Sequence, residues 1–215
     1  MSGAMRHIGR MIEYAPGLLY FPEFYDRAAQ EAIVDALRAG LREAPLFTPR
    51  MPRTGQPFSV RMTNFGALGW VSDQARGYRY DAIHPETGAP WPAIPDLVLR
   101  AWTEAGGYPH PPEACLLNFY EPAARMGLHQ DRDEQALDAP VVSISLGDAC
   151  LFRAGGESRS DRTKSFRLNS GDVLIIGGAS RLCFHGVDRL YPQTSTLLPN
   201  GGRINLTMRR VTRPG

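Results

Sequence analysis

At 215 residues, 43% apolar and 21% charged, the chain has the size and make-up for one buried core with an N-terminal elaboration, and is short of what two full domains need. No stretch approaches the roughly eighteen consecutive apolar residues of a membrane span, and "MSGAMRHIGRMIEY" carries basic residues with no apolar segment behind them, so no secretory signal is expected. A net charge of +2 is too small to argue for a nucleic-acid partner unaided. Cys115, Cys150 and Cys183 are odd in number and lack C-x-x-C spacing. That argues against a disulfide framework or a cysteine-rich zinc site, and points to a cytoplasmic chain whose cysteines are small core residues.

Along the chain, Asp26 to Ala44 places Ala29, Ile33, Val34, Leu37 and Leu41 on one helical face, with Asp26 suited to cap its start. "PAIPDLVLRAWTEAGG" (92–107) reads as a second helix, opened by Pro95 and Asp96 and stopped at Gly106. Between them, 45–91 is rich in Pro, Gly, Thr and aromatics with no sustained period, the composition of short strands and loops. From 113 onward short alternating segments follow one another, bounded by Gly, Asn, Asp and Pro: 113–120, 141–147, 149–153, 163–168, 171–177, 181–187 and 203–211. That density of strands predicts a mainly β fold, a sandwich, barrel or jelly roll with flanking helices. One segment, "RAGGESRSDRTKSFR" (153–167), sets five basic residues on an expected hairpin, suited either to a phosphate backbone or to solvent.

Period-two alternation sorts the strand residues by face. In "RINLTMRR", Arg203, Asn205, Thr207 and Arg209 share one face, opposite Ile204, Leu206 and Met208; "LLNFY" puts Asn118 with Tyr120, and "VVSISLG" puts Ser143 with Ser145. Such polar faces meet water in many antiparallel sheets. An arginine pair beside Asn, Thr, Tyr and Ser also suits a small dianion, since each guanidinium offers a two-pronged match to a carboxylate. Of the five histidines, His84 and His110 stand beside prolines in expected loops and His7 in an expected tail, all three read as solvated. His129 and Asp131 are two apart in an extended segment and point the same way, and His185 follows an apolar run. Two histidines and one carboxylate leave part of a metal's coordination sphere open, as suits Fe(II) or a catalytic zinc.

"LLNFYEPAARMGLHQDRDE", "VVSISLG", "GDVLIIGGASRLCFHGV" and "RINLTMRR" together resemble the AlkB family of Fe(II)/2-oxoglutarate-dependent dioxygenases, in order and in spacing, across roughly residues 60 to 211. The resemblance implies a double-stranded β-helix (jelly roll): residues 1–112 forming N-terminal helices and a nucleotide-recognition lid, 113–215 the catalytic core, one structural domain overall. It implies that His129, Asp131 and His185 ligate Fe(II). Asn118, Tyr120, Arg203, Asn205 and Arg209 would hold 2-oxoglutarate, with O2 as second cosubstrate. It further implies oxidative demethylation of N-alkylated nucleobases such as 1-methyladenine and 3-methylcytosine, in DNA or RNA, with release of formaldehyde. The partner expected is alkylated single-stranded DNA, met by a monomer with no membrane.

By the same resemblance Trp70 and Tyr78 contact the base, positions that without it read as core. Asp133 reads the positive charge of a methylated base, in place of a solvated turn acid. Arg159, with Arg153 and Arg162 behind it, meets phosphate. Gln130, Arg132 and Glu134 are left to solvent or to packing behind the ligands. The sequence departs from the family in a Trp70–Tyr78 spacing one residue longer and in Ile176 where an aromatic is usual, which bears on lid and pocket shape. Because the resemblance fixes the reaction better than the substrate, a protein, lipid or small-molecule oxygenase is the second reading. A non-catalytic metal-binding jelly-roll module is the third.

Overall fold

The computed structural model describes residues 10–214; His7 lies outside them. Thirteen strands and two helices run in the order β1 (Ile12–Ala15), β2 (Leu18–Phe21), α1 (Arg27–Gly40), β3 (Arg61–Gly66), β4 (Gly69–Asp73), β5 (Gly77–Asp81), α2 (Asp96–Ala101), β6 (Ala114–Tyr120), β7 (Met126–His129), β8 (Val141–Gly147), β9 (Ala149–Ala154), β10 (Lys164–Leu168), β11 (Val173–Ile176), β12 (His185–Tyr191) and β13 (Arg203–Arg209). A seven-stranded sheet in the order β1-β2-β11-β8-β13-β6-β3 faces a four-stranded sheet, β10-β9-β12-β7, and β4 and β5 form a separate hairpin. All pairings are antiparallel. The residues 1–112, assigned from sequence to helices and lid, also contribute β1, β2 and β3 to the large sheet.

Two apolar layers result from the alternation. Ile204, Leu206 and Met208 of β13 pack with Cys115 and Leu117 of β6, Val142 and Ile144 of β8, and Ile33, Val34 and Leu37 of α1. Each such side chain contributes about 1.5–3 kcal/mol on full burial. The opposite faces, with Leu116 and Tyr120 of β6 and Val141 of β8, look toward Cys150, Phe152, Phe166 and Leu190 of the small sheet. The polar strand faces therefore turn inward, away from water: Arg203 is 1% exposed, Ser145 1% and Asn118 5%. The three cysteines are free and buried, as core residues. No helix among the described residues is long and apolar enough to cross a membrane.

Helix α1 starts where its cap requires, the Asp26 carboxylate accepting from Ala29 N at 2.8 Å. It ends at Gly40, earlier than the expected Ala44, where a Cβ would come within 2.3 Å of the Phe65 ring. Its packed face carries a buried Gln30 beside the half-buried Ala29, the Gln30 amide bonding Tyr25 O and Ser170 Oγ. The second helix is α2 followed by a π-helical turn, Trp102–Gly106, and a left-handed Gly107 stops it, one residue beyond the expected Gly106. The expected strand 181–187 is displaced. Gly178–Ser180 forms a 3-10 turn, and His185 opens β12 instead of following a strand. Two expectations for lone histidines separate: His110 is exposed, but His84 is fully buried, its Nε2 2.8 Å from Pro45 O and its Nδ1 accepting from Glu86 N and Thr87 N. His84 is a loop-organising core residue, corrected from the solvated reading.

Candidate active site

A cavity of about 500 Å³ opens between the sheets, closed on one side by the β4–β5 hairpin. Asn118, Tyr120, Asn205, Arg209, His129, Asp131, His185, Trp70, Tyr78, Asp133 and Arg159 all line it. Arg203 is buried behind this lining, on the same strand face as Asn205. Arg153 is drawn away by an ion pair with Asp188 at 3.2 Å, and Arg162 lies outside the wall on the exposed β9–β10 loop.

His129 and His185 are direct partners across β7 and β12. The two strands approach closely because residue 186 is glycine: a Cβ there would lie 2.5 Å from Met126 O. Both imidazoles are oriented by backbone, His129 Nδ1 lying 3.0 Å from Gly127 O and His185 Nδ1 3.0 Å from Cys183 O. A carbonyl there fixes the proton on Nδ1 and turns the Nε2 lone pair outward. The two Nε2 atoms each stand 3.8 Å from an oxygen of Asp131, so the three potential ligand atoms lie within 4.8 Å of one another. Burial pushes the His185 imidazole down to about 4, keeping it neutral. Burial opposes charge on Asp131, but Arg209 and the two imidazoles outweigh it and hold the carboxyl well below the usual range. Two imidazoles and one carboxylate suit a divalent ion that prefers mixed nitrogen and oxygen donors, Fe(II) among them.

The same wall is prepared for an anion. Arg203 has no acidic partner among the described residues; its Nη2 donates to Ser145 Oγ at 2.7 Å and its Nε is unpartnered. Arg209 donates to Asp131 Oδ2 at 2.9 Å while its Nη1 has no partner; Asn118 Oδ1, also buried without a partner, is an acceptor and calls for a donor instead of an anion. Leaving buried charged donors unmet costs more than the roughly 1–3 kcal/mol of a neutral group. A small dicarboxylate supplies the missing acceptors. Burial pushes the Tyr120 phenol far up, so it remains a donor at neutral pH.

Two residues that the sequence reading left out, Tyr80 and Arg181, join the site around Glu134. Glu134, expected in solvent or behind the ligands, is 6% exposed. It pairs with Arg181 Nη2 at 3.0 Å, lies 3.2 Å from Arg209 Nε and accepts from the Tyr80 hydroxyl. Arg181 donates through Nη1 to Asp131 O at 2.5 Å and through Nε to Ala139 O at 2.8 Å. One clue was available: an acid three residues from Asp131, inside a charge cluster bounded by apolar segments. Its cations lie 47 and 75 residues further along the chain.

The hairpin supplies the outer wall. Trp70 and Tyr78 are diagonal neighbours on β4 and β5, with rings stacked at 5.4 Å and 24°. Asn64 grips the Trp70 backbone with reciprocal 3.0 Å bonds, and Trp70 Nε1 donates to Asp133 Oδ2 at 2.9 Å. Tyr78 is 50% exposed, which sets it apart from a core residue. Arg159 rests over the Phe184 ring at the hairpin loop. Ile176, 2% exposed, fills its part of the wall with an aliphatic side chain.

Residues 17–209 match the family model of the 2OG-Fe(II) oxygenase superfamily. The chain is similar to an alpha-ketoglutarate-dependent dioxygenase AlkB homolog of Caulobacter vibrioides, 52% identical over 96% of this chain and 93% of that protein. It is also similar to a DNA N(6)-methyladenine demethylase of Arabidopsis thaliana, ALKBH1C, 32% identical over 91% of this chain and 48% of that protein. The solved structure of OsALKBH1 superposes with a TM-score of 0.77 at 31% identity, covering 94% of this chain and all of that one. With the jelly-roll sheets, the His-Asp-His cluster and the unmet arginines already in place, these likenesses agree: the chain belongs to the AlkB family within the 2OG-Fe(II) oxygenase superfamily and is an Fe(II)/2-oxoglutarate-dependent dioxygenase.

Proposed function

We propose that the chain oxidatively demethylates N-alkylated nucleobases, 1-methyladenine and 3-methylcytosine among them, in single-stranded DNA and in RNA. In this reading His129, Asp131 and His185 ligate Fe(II), and Asn118, Tyr120, Arg203, Asn205 and Arg209 hold 2-oxoglutarate. The observation that carries it is the His-Asp-His cluster, its ligand atoms within 4.8 Å, beside a buried Arg203 without an acidic partner among the described residues and an Arg209 Nη1 without an acceptor. Bound Fe(II), 2-oxoglutarate and O2 supply the oxidation that hydroxylates an N-methyl carbon, with succinate and carbon dioxide as by-products. The hydroxymethyl amine then falls apart to formaldehyde and the restored base.

The chain's own residues orient and select. Arg209 neutralises Asp131 from one side, which holds the carboxylate toward the two imidazoles. A target base reaches the cavity only after leaving its stack, which favours single strands. There it meets the Trp70 and Tyr78 rings, a platform worth about 1–3 kcal/mol per stacked base. Asp133, tethered by the Trp70 indole, places a negative charge beside that platform and prefers a cationic methylated base to a neutral one. Arg159 at the rim suits the adjoining phosphate. The Arabidopsis relative, by name a DNA demethylase, supports the substrate class. A cytoplasmic monomer completes the proposal: among the described residues the exposed large apolar side chains, Met11, Met51, Tyr78, Ile83 and Leu137, come from separate segments and form no continuous strip along one element.

The test is formaldehyde release from a methylated single-stranded oligonucleotide, with and without 2-oxoglutarate, by the wild type and by Asp131→Ala. Dependence on 2-oxoglutarate and loss in the variant are expected. Demethylation retained by Asp131→Ala would remove the ligand assignment.

A further inference from the structure

The basic segment 153–167 is only partly absorbed by the site, since Arg159 alone of its cations lines the cavity. The β9–β10 stretch 149–168 holds five Lys and Arg against two acids, Glu157 and Asp161, in a chain of net charge +2. Side chains of the four-stranded sheet alternate. Cys150, Phe152, Phe166, Leu168 and Leu190 are buried toward the large sheet, which turns Leu151, Arg153, Arg167 and Arg189 outward. Arg167 and Arg189 both pair with Leu151 in register, two strands apart and so about 10 Å from each other. Their guanidiniums converge on one ring, Tyr191, at 4.9 and 5.5 Å. Neither makes an ion pair among the described residues; the nearby Asp188 is taken by Arg153.

Two like charges gathered over one aromatic ring without an acid form a surface short of an anion. Its place in the fold decides which anion. Arg153 pairs with Gly186, a residue of the cavity wall, and the hairpin loop beyond it carries Arg159 at the rim. The basic face thus continues from the cavity rim onto the outside of the sheet.

We propose that this outer sheet face, with Arg167 and Arg189 held over Tyr191, is a second contact surface for the nucleic-acid strand, taking phosphates of nucleotides that flank the one in the cavity. The proposal rests on the demethylase reading and extends it to strand length. Substrates long enough to reach the face gain affinity from it, and short ones do not.

The test compares the wild type with R167Q/R189Q and with R38Q/R42Q, which removes the same charge from the α1 side. Binding of a methylated single strand of about 20 nucleotides to Fe(II)- and 2-oxoglutarate-loaded protein is measured without oxygen over a salt series. Loss of two phosphate contacts is expected to make the slope of log K against log salt shallower by about 1.4. The change is expected in R167Q/R189Q alone, while formaldehyde release from a methylated trinucleotide stays at the wild-type rate. An unchanged slope, or an equal change in R38Q/R42Q, overturns the sheet-face proposal with the demethylase reading intact. No formaldehyde from either substrate with the wild type overturns both. Loss of anionic phospholipid vesicle binding in R167Q/R189Q with an unchanged oligonucleotide slope reassigns the face to a membrane surface and overturns it too.

Discussion

Glu134→Gln should destabilise the metal-free protein by about 3 kcal/mol. The carboxylate is 2% exposed at its side chain and faces Arg181 and Arg209, 5% and 7% exposed, so solvent screening is slight. Removing one member of a buried ion pair costs roughly 3–5 kcal/mol, because the remaining charge stays buried without compensation. The lower end applies here. Arg209 keeps Asp131 at 2.9 Å and Arg181 keeps the carbonyls of Asp131 and Ala139. The isosteric amide leaves no cavity, but it presents one acceptor in place of two and turns a donor toward a guanidinium. For a chain of this length the loss corresponds to a fall in melting temperature of about 6–12 °C. Thermal unfolding followed by circular dichroism, with urea titration for the free energy, measures it. A melting temperature within about 2 °C of the parent would show that Glu134 does not anchor the two arginines.

Arg203→Gln removes a charge-assisted contact worth about 1.5–3 kcal/mol, so the KM for 2-oxoglutarate should rise roughly 10- to 150-fold while Fe(II) affinity holds; an unchanged KM would place the cosubstrate elsewhere. Trp70→Ala takes away one stacking surface, about 1–3 kcal/mol. The KM for a methylated oligonucleotide should rise with that for 2-oxoglutarate unaffected, and a parallel rise in both would point to collapse of the hairpin instead. Burial opposes charge on Glu113, but the amide and hydroxyl of Thr212, the Val211 amide and Arg210 outweigh it and hold the carboxyl below its ordinary value of 4.5. The stability from that group is therefore present above the unfolded value and lost as pH falls through the folded one. Glu113→Gln should be less stable than wild type near neutral pH, and the two should converge in urea titrations as the pH drops below about 4.

The strand faces were legible because period two is a property of one strand at a time. Asn118 with Tyr120, and Arg203 with Asn205 and Arg209, needed no knowledge of their neighbours. His129, Asp131 and His185 were likewise visible as types and spacings, although their meeting depends on the β7–β12 register. What stayed hidden was long-range. β1 and β2 are four-residue strands, too short to display a period; β1 pairs with β2, and β2 joins the sheet through β11. Leu182, Cys183 and Phe184 looked like a strand because they are apolar, yet they join no ladder, and Phe184 alone of the three lines the cavity. Glu134 was left between solvent and packing behind the ligands, and Arg181 to an expected strand, because no local pattern announces a buried pair separated by 47 residues. His84 misled for the same reason: proline neighbours mark a loop, and a loop can still be packed under Trp91 and Phe47.

The carboxylate of Asp131 already has a cation in Arg209, and both imidazoles are already hydrogen-bonded to the backbone. The proposed iron site is therefore held open by the protein alone, unlike a zinc finger, whose shape is lost with its metal. Folding and metal loading become separate events. A chain made when iron is scarce should persist as a folded, dormant enzyme that starts work on the first ion it receives, so that iron supply governs its activity without governing its abundance.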